Sequence, residues 1–331
     1  MSTNPTPLVF NKNLEVEYGR VDRLSPLIRR VVANNPGPFT FKGTGTYIIG
    51  NGRVAVIDPG PDDPAHLAAL DAALEGETVT HILITHTHGD HSPGARPLQE
   101  RTGAPTYGFG PHPESDEPAD DITEPTADAV AANAANAAAT GQTDETPKET
   151  HDALFVPDVA VRDGDQVVGD GWTVECVHTP GHLANHICYS LTDERVLFSG
   201  DHVMGWSTSV VSPPGGDMAD YLASLEKLLG REDATYWPTH GPAITDPHPF
   251  VRGLIEHRRN REREILGRLA EGDRRIADIV AALYVGLDTR LVKAAGRSVL
   301  GHLRQLAGEG RVTWEGQGDR PMVDSEYRLA P

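Results

Sequence analysis

The chain has 331 residues, a formal net charge of −19 and 6% aromatic residues. That length accommodates one large core and a small second domain. The acidic balance disfavours nucleic acid and anionic membrane surfaces as long-range partners, and no stretch approaches the ~18 apolar residues needed to span a bilayer.

The first ten residues carry no Lys or Arg and no sustained apolar run. No signal peptide is expected, and a cytoplasmic location with no membrane partner follows. Further along, the apolar run His81-Ile82-Leu83-Ile84 reads as a buried strand. It leads directly into Thr85-His86-Thr87-His88-Gly89-Asp90-His91. Residues two apart on an extended backbone share a side, so His86 and His88 can face one metal. Asp90 and His91 follow where the chain turns and can face a second. Imidazole and carboxylate donors together suit zinc, with iron or manganese as alternatives.

Residues 111–152 hold eleven acidic residues against the single Lys148. The middle of this segment, Ala129 to Thr140, is almost entirely Ala and Asn. It reads as a mobile insertion between strands, with a short helix expected over 128–139, serving either as a solvated loop or as a lid over the metal cleft.

Three strand-then-turn units follow. Trp172 to Val177 leads into Thr179-Pro180-Gly181-His182. Arg195 to Phe198 leads into Ser199-Gly200-Asp201. Ala234 to Trp237 leads into Pro238-Thr239-His240-Gly241. Polar residues on turns after strands are where α/β folds assemble sites. Cys176 and Cys188, the two cysteines of the chain, lack ligand neighbours and read as buried free thiols in a reducing compartment.

From residue 249 the pattern becomes helical and basic. One helix is expected from Phe250 through Leu266, a second over 275–284 and a third over 291–309, ended by Gly308 and Gly310. Arg311 to Trp314 reads as a strand and Met322 to Leu329 as its return, a winged-helix pattern. The expected division is therefore 1–248 and 249–331.

His86-Thr87-His88-Gly89-Asp90-His91 followed by His182, Asp201 and His240 resembles the ligand series of the metallo-β-lactamase superfamily. The resemblance implies a four-layer αβ/βα sandwich. It implies that His86, His88 and His182 hold one metal, that Asp90, His91 and His240 hold the other, and that Asp201 bridges them. Two zinc ions per chain would then share a bridging hydroxide that attacks the substrate. Asp90 would orient that water or accept its proton. Asp201 is absent from the lactamases proper and resembles the hydrolases of thioesters and phosphodiesters. The oxygen-reducing diiron members usually carry Glu where His88 stands.

The block His257-Arg258-Arg259-Asn260-Arg261-Glu262, the stretch Val299 to Leu306, and Ser199-Gly200-Asp201-His202 are similar to the β-lactamase-like protein 2 family. That family includes carrier-bound acyl thioesterases and an endoribonuclease acting on single-stranded RNA.

Asp58, Thr85 and His186 are expected to brace the ligand loops rather than bind metal. Trp206 and the loop Pro213-Pro214-Gly215-Gly216 are expected at the cleft. Three functions fit these residues. The first is a hydrolase of a small or carrier-bound ester, thioester or lactam, with weak β-lactamase side activity. The second is a ribonuclease with RNA as partner. The third is a winged-helix DNA-binding regulator with a metal-sensing domain. Residues 252–315 carry thirteen Lys or Arg and nine Asp or Glu, including Lys293, Arg297 and Arg304, a net of +4 that is weak for DNA binding. Packing or homodimer formation is the expected use of the winged helix.

Overall fold

The structure is a computed structural model that describes residues 8–112, 150–287, 291–316 and 318–331. The helix expected over 128–139, and all but the two ends of the acidic segment, lie outside the described residues.

Two sheets stack face to face. The first has seven strands in sequential order: β1 (Val21–Arg23), β2 (Ile28–Val32), β3 (Gly45–Ile49), β4 (Arg53–Ile57), β5 (Thr78–Leu83), β6 (Thr106–Gly108) and β7 (Val159–Ala160). β1 to β4 pair antiparallel, and β4 to β7 run parallel. The second has six strands in the order β13 (Ile244–Thr245), β12 (Thr235–Pro238), β11 (Val196–Gly200), β10 (Ile187–Leu191), β9 (Thr173–His178) and β8 (Gln166–Val168).

Strands β2, β3, β10 and β11 are buried along their whole length, because each is covered on both faces. Ile28, Tyr47, Ile49, Val174, Cys176, Ile187 and Tyr189 form the core between the sheets. Outside the first sheet, α1 (Pro64–Ala73) and α2 (Ala95–Thr102) bury Leu70 and Leu98 against Ile48, Val56 and Ile82. Outside the second, α3 (Met218–Leu229) and the start of α4 (Pro247–Glu271) bury Tyr221, Leu225, Val251 and Leu254 against Cys188, Leu197 and Tyr236. The layers are therefore α, β, β, α, as expected.

Cys176 and Cys188 fall in different cores and are both free thiols. Burial pushes each up to about 12, which makes them inert at neutral pH.

Local chemistry sets the helix ends. Asp63 caps α1 by accepting from the Ala65 N–H at 3.0 Å, with Pro64 opening the helix. Asp217 caps α3 through the Asp220 N–H at 2.9 Å. Gly272, at φ 114°, lets the chain leave the 25-residue α4.

α4 belongs to two cores. Its first half carries Val251, Leu254 and Ile255 into the core outside the second sheet. Its second half carries Ile265 and Leu269 into a separate cluster. That cluster also holds α5 (Ile276–Leu283), α6 (Val292–Gly308) and the two-stranded wing β14 (Val312–Glu315) and β15 (Glu326–Leu329). The return strand is shorter than expected, because residues 322–325 form a turn closed by the Ser325 hydroxyl on the Met322 N–H. α6, the helix that would enter a DNA groove, is buried at Ala295, Gly296, Val299, Leu300, Gly301, His302 and Leu303. Gly301 abuts the Val211 carbonyl and Pro213 of the other half. No helix among the described residues is long and apolar enough to cross a membrane.

Candidate metal centre

The ligand candidates sit on turns at the ends of strands. His86, His88, Asp90 and His91 follow β5, His182 follows β9, Asp201 follows β11 and His240 follows β12. Because the sheets face each other, those ends meet. Donor atoms of His86, His88, His182 and Asp201 all lie within 4.8 Å of one another, as do those of Asp90, His91 and His240. One oxygen, Asp201 Oδ2, lies 3.8 Å from His182 Nε2, 3.5 Å from His91 Nε2 and 3.4 Å from His240 Nε2. It stands between the two groups.

The hydrogen bonds fix which ring nitrogens face inward. His182 Nδ1 donates to the Val210 carbonyl at 2.6 Å. The Thr85 hydroxyl donates to Asp58 Oδ2 at 2.7 Å, so it accepts from His86 Nδ1 at 3.0 Å. His91 Nδ1 donates to Asp58 Oδ2 at 2.9 Å, and His240 Nδ1 to the Gly43 carbonyl at 3.2 Å. In each neutral ring the Nε2 lone pair therefore points into the cluster, the arrangement of a metal-binding imidazole.

Protein groups alone do not satisfy this arrangement. The lone pairs of His86 and His182 both aim at His88 Nδ1, at 2.9 and 3.0 Å, and that atom carries at most one proton. Among the described residues, His91 Nε2 and Asp201 Oδ1 are buried without a hydrogen-bond partner. Buried polar atoms are nearly always paired, so this donor set fits cations.

The electrostatics divide the seven residues. Burial drives His86 and His88 well below the ordinary imidazole value and lowers His182 as well. Burial also pushes His91 and His240 down, but the carboxylates around them outweigh it. Asp90, Asp201 and Asp58 raise His91 well above its ordinary value, and Asp201 with Asp90 raises His240 to about 10. Burial in turn pushes Asp90 and Asp201 up, yet the two imidazoles hold both below the usual carboxylate range. The first group is thus mostly neutral imidazole. The second demands positive charge, from protons or from a cation.

The expected supporting residues touch the ligands. Asp58 is fully buried and accepts from the Thr85 N–H at 2.8 Å, from the Thr85 and Thr239 hydroxyls and from His91. The Asp201 N–H donates to His186 Nε2 at 3.2 Å, and His186 Nδ1 donates to the Thr179 hydroxyl at 2.9 Å. His202 points elsewhere and packs on Tyr221, with ring centroids 4.7 Å apart.

A cleft of about 210 Å³ opens over the cluster, lined by Asn35, Phe39, Thr40, His88, Asp90, Thr150, Asp201 and His240. Trp206 and the 213–216 loop are not among these eight. Trp206 stacks on Phe41 at 4.8 Å and covers Gly241, behind His240. The 213–216 loop packs on Leu183 and Gly181, behind His182.

Several contributors were not anticipated. Thr44 donates to Asp90 Oδ2 at 2.8 Å and is held by Asn35. The carbonyls of Gly43 and Val210 orient two ligands. The two ends of the acidic segment grip the ligand loop. Thr87 meets His112 Nδ1 at 2.9 Å, the Gly89 N–H donates to Thr150 at 2.7 Å, and the Asp152 N–H donates to Thr87 at 2.9 Å. The His151 ring lies 5.0 Å from His88 and 4.6 Å from His112. A histidine at each flank of the low-complexity stretch was a readable signal. The backbone carbonyls left none.

Comparison with known proteins gives the family and the fold. The model of the metallo-beta-lactamase superfamily matches residues 40–240, and that of the beta-lactamase associated winged helix domain matches residues 276–320. The beta-lactamase-like protein 2 homolog of Caenorhabditis elegans is 31% identical over 88% of this chain and 88% of its own. An atrochrysone carboxyl ACP thioesterase of Claviceps purpurea is 28% identical over 90% of this chain and 86% of its own. Among solved structures, a beta-lactamase domain protein from Burkholderia ambifaria has the same fold, with TM-score 0.73, 23% identity and 96% of each chain covered. So does a metallo-beta-lactamase family protein from Thermus thermophilus, with TM-score 0.68, 24% identity, and 93% of this chain and all of that one covered. The chain belongs to the metallo-β-lactamase superfamily of hydrolases, in the branch of β-lactamase-like protein 2 that carries the associated winged helix.

Proposed function

We propose that the protein is a dinuclear metal hydrolase that cleaves carrier-bound acyl thioesters. The carrying observation is Asp201 Oδ2, which lies between a three-histidine group and an Asp-His-His group at the floor of an open cleft. In this reading His86, His88 and His182 hold one cation, Asp90, His91 and His240 hold the second, and Asp201 serves both. Five imidazoles with two carboxylates suit zinc, and iron or manganese share the preference.

The cations would polarise the substrate carbonyl and lower the pKa of an attacking water from ~15.7 towards neutrality. The chain's own residues do the rest. Asp58 and the Val210 and Gly43 carbonyls lock the histidines in one tautomer. Asp90 lines the cleft, is held by Thr44 and stays anionic, so its carboxylate would accept a hydrogen bond from an attacking water and orient it. Phe39 is the apolar side chain among the eight lining residues and gives an acyl chain a surface to lie on.

None of those eight residues carries a cationic Lys or Arg, and the chain's net charge is −19. Both facts favour an acyl substrate over RNA, whose backbone calls for a basic path. The relatives named as acyl carrier protein thioesterases support the same choice.

The test is release of free thiol from an acyl group carried on a pantetheine-bearing carrier protein, by metal-loaded enzyme. Single-stranded RNA and a lactam run in parallel. Thioester cleavage that Asp201→Ala abolishes, faster than cleavage of the other two, is the expected result. Faster RNA cleavage, lost in the same variant, would replace this reading with a ribonuclease.

A further inference from the structure

Arg258 lies in the first half of α4 and is 4% exposed. No carboxylate lies within ion-pairing distance of it among the described residues. A buried guanidinium without a counter-ion is costly to keep, so what it holds matters. One Nη donates to the Ser209 carbonyl, and the guanidinium lies over the Tyr221 ring, 5.3 Å from its centroid. Its charge also reaches the fully buried His302 of α6, whose imidazole is lowered by burial and by that positive charge.

The Ser209 turn meets two residues of the cluster, Asp201 and His182. The Ser209 hydroxyl donates to the Asp201 carbonyl at 2.5 Å. The next carbonyl, that of Val210, receives the His182 Nδ1 proton at 2.6 Å. Residue 211 is then pressed by Gly301 of α6, where a Cβ would come within 3.3 Å of the Val211 oxygen. Ser209 and Val210 therefore fix the shared carboxylate's backbone and one ligand's ring, and Arg258 fixes Ser209. A carbonyl direction is set by its peptide plane. Pinning the Ser209 oxygen fixes the plane from which the Val210 oxygen departs one residue later.

We propose that Arg258 is a positioning residue of the metal centre, acting through Ser209 and Val210 on His182 and Asp201. The helix shared with the winged-helix cluster is then part of the metal-binding apparatus. This rests on the metal-centre reading above.

The experiment uses the full chain, stripped with chelator and titrated with cobalt(II) alone, read by visible absorption and calorimetry. Wild-type protein is expected to take up two equivalents. Arg258→Met keeps the stem and removes the donor. One equivalent should then bind about 10- to 100-fold more weakly with an altered ligand-field spectrum, while the other changes less. Arg258→Lys should recover most of the loss. Ser209→Ala keeps the carbonyl that Arg258 holds and removes only the hydroxyl step to Asp201, so it should weaken the same equivalent in part, without touching α4. Leu254→Ala, a fully buried residue on the same helix, should lower the melting temperature and leave both equivalents bound as in wild type.

If Arg258→Met does not fold, Arg258→Lys and Ser209→Ala decide. Wild-type affinity and spectrum in a folded Arg258→Met, wild-type affinity and spectrum in Ser209→Ala, or equal weakening in Leu254→Ala, would overturn the proposal while sparing the metal centre. Failure of the wild-type protein itself to take up two equivalents would overturn both.

Discussion

Asp58→Asn is the substitution that most sharply probes how the ligand shell is built. The carboxylate is fully buried and receives four donors: the Thr85 N–H on Oδ1, and the Thr85 hydroxyl, the Thr239 hydroxyl and His91 Nδ1 on Oδ2. An amide has one oxygen. With that oxygen in place of Oδ2, the new NH₂ faces the Thr85 N–H. With the amide flipped, the NH₂ faces three donors. Either way at least one buried donor loses its acceptor, at about 1–3 kcal/mol, and the surviving bonds lose their charge assistance. The total is about 3 kcal/mol, or ~150-fold in the folding equilibrium. Urea denaturation of the metal-free protein measures it. The ring of His91 also loses its tautomer lock, so metal at the Asp90-His91-His240 group should weaken by about 10- to 100-fold. An unfolding free energy within about 0.5 kcal/mol of wild type, with metal affinity unchanged, would refute the reasoning.

Two further outcomes are expected. His240→Ala should halve the metal content, because the other group keeps its three histidines and Asp201; elemental analysis that finds both equivalents lost or both retained contradicts the division of ligands. His66 is buried against Gly60 and Thr46, and burial pushes its imidazole down to about 4. Its folded value lies below its unfolded one. The stability it confers is therefore full above pH ~6.5 and is lost as pH falls towards 4, by up to about 3 kcal/mol. His66→Gln should flatten that part of the stability profile of the metal-free protein, and an unchanged slope between those pH values would show that His66 is not its source.

The loop that brings four of the clustered side chains was legible because four metal-competent residues fall within six positions after an apolar run. Extended geometry then dictates which of them share a side. His182, Asp201 and His240 were legible only as a set, since each is an ordinary turn residue alone. What orients them was harder to read. The carbonyls of Gly43 and Val210 are backbone groups that any residue supplies, so no residue type announces them. Thr44 reaches Asp90 from 46 residues away because β3 and β5 lie in one sheet with only β4 between them, a long-range contact to which local pattern is blind. Trp206 reads from sequence as a cleft residue, yet it stacks on Phe41 behind His240. An aromatic beside a ligand-bearing turn is as readily a prop as a wall. The basic block at 257–262 reads from sequence as part of a basic helix, with nothing to mark which of its charges are buried. The structure buries Arg258 and Glu262 within it, because α4 is clasped between two cores.

The central claim is that the seven residues form a two-metal centre. Elemental analysis of protein that has been stripped with chelator, saturated with zinc and desalted tests it directly. About two equivalents per chain are expected, falling by at least one in Asp201→Ala, whose carboxylate faces both groups. One equivalent or fewer in the wild-type protein would contradict the account.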